Sequence, residues 1–160
     1  MTTFTLVHVV LSLAGIGSGF VVIFGLLGAK RLDGWTVFFL ATTAATSLTG
    51  FGFPFDHVLP SHVVGVISLL VLAAAIVARY VRHLAGAWRR VYVIDAVVAL
   101  YLNVFVLVVQ AFLKVPALNA MAPTQSEPPF LITQLVVLVL FVGLGIAATI
   151  RFSNETVRAS

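Results

Sequence analysis

The sequence contains no cysteine. That excludes disulfides, thiolate catalysis and cysteine-held metals or clusters, and it leaves the redox compartment unread. Charge is nearly as scarce: only 9% of residues are Asp, Glu, Lys or Arg, where soluble domains carry about 25%. The landmarks of catalysis are missing as well. There is no P-loop, no GxGxxG, no HxxxH or HExxH metal spacing and no nucleophile elbow, so an enzyme is not expected.

What remains is apolar. Hydrophobic residues make up 61% of the 160 and the mean hydropathy is +1.17. A chain of this length cannot hide so much apolar surface from water, because small domains leave a large share of their surface exposed. Lipid is therefore the expected solvent. Inside a bilayer every backbone amide must find a partner within the protein, which allows helices or a closed barrel. The apolar runs exceed the roughly 9–11 residues of a barrel strand. The reading is an all-α, polytopic helical membrane protein, with residues 1–160 forming a single transmembrane domain.

A hydrocarbon core of about 30 Å needs about 20 apolar residues per helix. Five segments qualify, near 4–29, 35–55, 62–82, 91–113 and 130–150. Charged or proline-broken connectors separate them: KRLDG at 30–34, DHVLPS at 56–61, HLAGAWRR at 83–90 and KVPALNAMAPTQSEPP at 114–129. The first run lacks a basic leader and a small-residue cleavage site, so it reads as a retained helix rather than a signal peptide. Of the nine Lys and Arg, all but Lys114 fall on one side of the five spans. The positive-inside rule places that side in the cytoplasm, with the N-terminus outside and the C-terminus inside. The formal charge of +4 is read as that topology record, and nucleic acid is not an expected partner.

Lipid tails are as apolar as leucine, so helices in lipid associate through small residues and a few polar contacts. The first span offers Ser12, Gly15, Ser18 and Gly19, the second Thr42, Thr46 and Thr49, and the fifth Gly143 and Ala147. In the fourth span Tyr92, Asp95, Ala99, Asn103, Val106 and Gln110 recur at 3, 4, 4, 3 and 4, one face of a helix. Polar groups inside a membrane face the bundle interior or a wet cavity. The stripe of Tyr92, Asp95, Asn103 and Gln110 therefore stands either for hydrogen bonds to second-span threonines or for a polar path. A third alternative pairs Asp95 with Arg89 or Arg90 at the interface.

A second group gathers at the outer end: His8, Asp56, His57, His62 and Glu127. Imidazole and carboxylate suit a transition metal, and His8 with His62 suits a haem with two axial ligands. Ser61, His62 and Asp56 have triad chemistry without triad geometry. The plain alternative is that FPFDHVLPSH, residues 53–62, is a wet turn where charge costs little.

The stretches LTGFGFPFDHVLPSHVVGVISLL (48–70) and KVPALNAMAPTQSEPPFLITQL (114–135) resemble those of small multi-pass bacterial inner-membrane proteins. That resemblance implies a bacterial cytoplasmic (inner) membrane and brings no substrate, cofactor or catalytic residue with it. The function expected is a structural or accessory membrane subunit, forming a homo-oligomer or joining a larger membrane complex within the lipid bilayer. The alternative is a binding or transport protein for a metal, haem or proton that uses the outer His and acid cluster.

Overall fold

A computed structural model describes residues 2–58 and 60–158, with side chains through residue 153. Among the described residues there are helices and no strand. α1 runs Thr3–Leu27, α2 Asp33–Gly50 and α3 Pro60–Ile76, continued by a π turn over Val77–Val81. Then come α4 at Trp88–Lys114, the short α5 at Pro116–Met121 and α6 at Pro128–Arg158.

Sequence chemistry explains the helix ends. The Thr2 hydroxyl accepts from the Thr5 amide and caps α1, supplying one of the partners that the first turn lacks. α2 closes at Gly50, short of the expected 55, and Phe51–Phe55 turns away. Pro54 biases the residue before it out of helical geometry. Pro116 opens α5 at a position where a missing amide costs nothing. That six-residue helix lies within a connector that reads as proline-broken from sequence.

The turn between α1 and α2 is tight. Leu32 takes a left-handed backbone (φ 43°) and lays its side chain onto Gly25. A β-carbon at Gly25 would stand 2.4 Å from Leu32 Cδ1, so the turn requires glycine there.

Successive long helices run antiparallel, with α4 at the centre against α1, α3, α5 and α6. The core includes Val22, Ile23 and Leu26 of α1, Phe39 of α2, Leu72 and Ala75 of α3, Tyr92, Val93, Ala96 and Leu100 of α4, and Phe141, Ala148 and Phe152 of α6. A smaller cluster of Phe112, Ala122 and Phe130 seats α5 at the far end. Small side chains let the helices approach. Gly19 faces Leu100 and Phe39, whose carbons lie 2.7 and 2.9 Å from where its β-carbon would be.

Four helical stretches are long and apolar enough to cross a membrane: Thr3–Leu27, Pro60–Val81, Trp88–Lys114 and Pro128–Ser153. They mark a multi-pass membrane protein. α2 is not among them. Its 18 residues include Asp33, five threonines and Ser47, and these hydroxyls dilute its hydropathy. Three of these protons are absorbed locally, as Thr42 donates to Phe38 O (2.7 Å), Thr46 to Thr42 O (2.8 Å) and Thr49 to Ala45 O (2.7 Å).

Candidate functional site

The polar side chains fall into three layers along the bundle. At the end formed by the start of α1 and the close of α2, His8 Nδ1 lies 2.8 Å from Thr49 Oγ1. The Thr49 proton already goes to Ala45 O, so His8 acts as the donor from its Nδ1–H tautomer. Its ring packs edge-on against Phe53, centroids 5.0 Å apart. His62, in the first turn of α3, is buried with Phe55 at 4.1 Å and Phe51 at 5.7 Å. Asp56 and His57 are exposed in the turn. Glu127 faces its own loop, where Oε1 accepts from the Thr124 amide and hydroxyl and Oε2 from the Ser126 amide. Those hydrogen bonds hold its pKa below the ordinary carboxyl value, outweighing the partial loss of solvation that acts in the opposite sense. Among the described residues, no three His, Asp or Glu side chains come together as a group that could hold a metal. The five residues are distributed over α1, a turn, α3 and the α5–α6 loop.

The middle layer joins three helices. Asn103 Nδ2 donates to Thr43 Oγ1 at 3.2 Å, and Gly15 leaves the space beside them. A β-carbon at Gly15 would sit 3.2 Å from Thr43 Oγ1 and 3.5 Å from Asn103 Nδ2. Nearby, Ser47 and Ser68 link α2 to α3 at 3.1 Å. Two side chains of the fourth-span stripe thus meet threonines of α2, since Tyr92 also reaches Thr36 at 3.4 Å. Thr36 gives its own proton to Arg31 O, so the tyrosine hydroxyl is the donor. Gln110 is half-buried near the end of α4.

Asp95 departs from every sequence alternative that gave it a partner. Its Oδ2 is buried and makes no hydrogen bond. Among the described residues it forms no ion pair with Arg89 or Arg90. Arg89 instead lies over Phe152, its Cζ 5.7 Å from the ring centroid.

The third layer is one that sequence reading missed. Arg79, counted from sequence only as a cytoplasmic charge, is 3% exposed. The π turn carries it inward. Its Nη2 donates to Arg31 O (3.3 Å) and to Asp33, and its Cζ lies 5.1 Å from the Tyr92 ring centroid. Nη1 is buried without a hydrogen-bond partner. The guanidinium thus joins the start of α2, the end of α3 and the start of α4. Nothing in VARYV signals this, since the segment has no Gly or Pro to announce a π turn. A lone arginine near a span end reads as interfacial.

No family model matches the chain, and no curated protein or solved structure matches it either.

Proposed function

We propose that this chain is a non-enzymatic, five-span subunit of a bacterial inner membrane, built to assemble with other membrane helices. The carrying observation is the contrast between its first and last helices. In the most apolar stretch of α1, 44% of residues are buried, against 11% in α6. On the uncovered side of α6, Gly143 has nothing within 4 Å of where its β-carbon would be, and Ala147 follows one turn later. Such a small-xxx-small step lets a second helix approach closely. Most hydroxyls of the bundle bond to backbone carbonyls of their own helix or to another side chain. A second copy of the chain is the partner this reading tests first.

The natural absence of cysteine makes the test clean. Ala147→Cys is expected to form a disulfide-linked dimer in native membranes, while Leu70→Cys on the exposed side of α3 stays monomeric. A monomer by native mass spectrometry, with no Ala147→Cys cross-link, would sink the reading.

The fifth span in this proposal is α2, whose 18 residues cover about 27 Å at 1.5 Å each and three of whose threonine hydroxyls are bonded within the helix. The proposed orientation keeps the N-terminus outside. Impermeant thiol reagents on intact cells are then expected to label His57→Cys and to spare His83→Cys; the reverse pattern inverts the topology.

Asp95 favours a second reading, in which the chain carries protons or ions through the fourth-span stripe. Flux in liposomes that Asp95→Asn abolishes supports it, and flux unchanged by that substitution dismisses it.

A further inference from the structure

We infer that the groove between α4 and α6 is a binding site for one anionic membrane lipid, with an acyl chain along the groove and the headgroup on Arg90. The groove encloses about 440 Å³, within the range of about 300–1,000 Å³ typical of ligand sites. Val97 and Phe141 form its buried floor, and Ile94, Val142, Ile146 and Ile150 stand half exposed along its rims. Its few polar atoms offer a ligand little, since the Thr149 hydroxyl donates to Gly145 O.

Dimensions decide the occupant. On α6 the groove extends from Leu138 to Ile150, about 18 Å at 1.5 Å per residue. That approximates one leaflet, half of a core about 30 Å thick. An extended acyl chain reaches along a groove of that length, against walls that are almost wholly apolar.

Charge then selects the headgroup. The groove opens at the end of the bundle that holds Arg79, Arg82, Arg89 and Arg90. Arg90 is exposed and precedes Ile94 by one turn on the same face of α4, at the mouth of the groove. A guanidinium there meets a lipid phosphate with paired hydrogen bonds.

The test is native mass spectrometry of detergent-solubilised protein exchanged against equal phosphatidylglycerol and phosphatidylcholine. Wild type is expected to retain one phosphatidylglycerol in preference. Arg90→Gln, at an exposed position, should cut that preference about fivefold, the effect of one basic residue near an anionic surface. Gly145→Phe fills the floor and should abolish retention of both lipids. A β-carbon there meets Val97 Cγ1 at 3.5 Å, an ordinary contact, so a side chain can start at this position of the groove lining. Leu70→Phe on the outer face of α3 should leave retention unchanged. Equal retention of the two lipids by wild type, or an unchanged preference in Arg90→Gln, overturns the site whether or not Gly145→Phe folds.

Discussion

Arg79 and Asp33 pair across the boundary between protein interior and water: the arginine side chain is 2% exposed and the aspartate 79%. The two ends of this ion pair therefore have unequal consequences. In Asp33→Asn the surviving partner is the buried guanidinium, which keeps the amide oxygen as an acceptor but loses its counter-charge, so a cost of about 1–3 kcal/mol is expected. Arg79→Ala also loses the bond to Arg31 O and the contact with Tyr92, and a desolvated cation–π contact alone contributes about 2 kcal/mol. Arg79→Lys should fall between, because lysine has one charged centre and no fork to reach two helices. Reversible unfolding in mixed micelles would rank the three variants. A loss in Asp33→Asn equal to that in Arg79→Ala would contradict this account.

The bond from Asn103 to Thr43 should contribute about 0.6 kcal/mol, the average for hydrogen bonds between membrane helices. Asn103→Leu and Thr43→Val are expected to be non-additive, since either substitution removes the same bond. Gly15→Ala presses on Thr43 and should show a smaller added cost in the Asn103→Leu background. A double-mutant cycle reads this directly, and strict additivity would mean that the contact stabilises nothing.

Gly19 is the tightest approach of α1 to the core. Gly19→Ala drives a methyl group into Leu100 and Phe39, and overpacking of this kind costs about 1–3 kcal/mol. Gly17→Ala, with nothing within 4 Å of its β-carbon, serves as the neutral comparison. The measurement is thermal stability in detergent. Equal melting temperatures for the two variants would refute the close packing.

Glu127 introduces a pH dependence into the loop before α6. Its pKa is lowered on folding from an ordinary value of 4.5, so its contribution is complete above pH 4.5 and fades as pH falls through the lowered folded value. The protection of the Thr124 and Ser126 amides, measured against their intrinsic exchange rates, should fall across that acidic window. In Glu127→Gln this pH-dependent fall should vanish, and its persistence would assign the effect to another group.

The helices were legible because long apolar runs admit few structures, and prolines at 54, 116 and 128 punctuate them. The stripe of Tyr92 and Asn103 was legible because helical periodicity puts polar groups on one face. Thr36 and Thr43 were less so, since threonine's own i−4 bond makes it ambiguous as a partner. The outer His and acid group was visible only as proximity in sequence. Proximity along a turn fixes no convergence in space, and Phe51, Phe53 and Phe55 take up the room between the imidazoles. Arg79 was hidden for a sharper reason. A π turn shifts the register of every side chain after it, so a wheel drawn at 3.6 residues per turn aims Arg79 wrongly.

That π turn has a further consequence. The Arg82 amide reaches back five residues to Val77 O (2.9 Å) and the Leu84 amide six to Ala78 O (3.0 Å), so the helix end holds more chain than an α-helix of the same length would. It is slack stored at the boundary between bundle and loop. Shortening the chain by one residue here can be absorbed without displacing α3 or α4, whereas the same deletion at mid-helix would rotate a whole apolar face. The cost falls on one side chain, because the guanidinium that joins three helices would swing away from Tyr92.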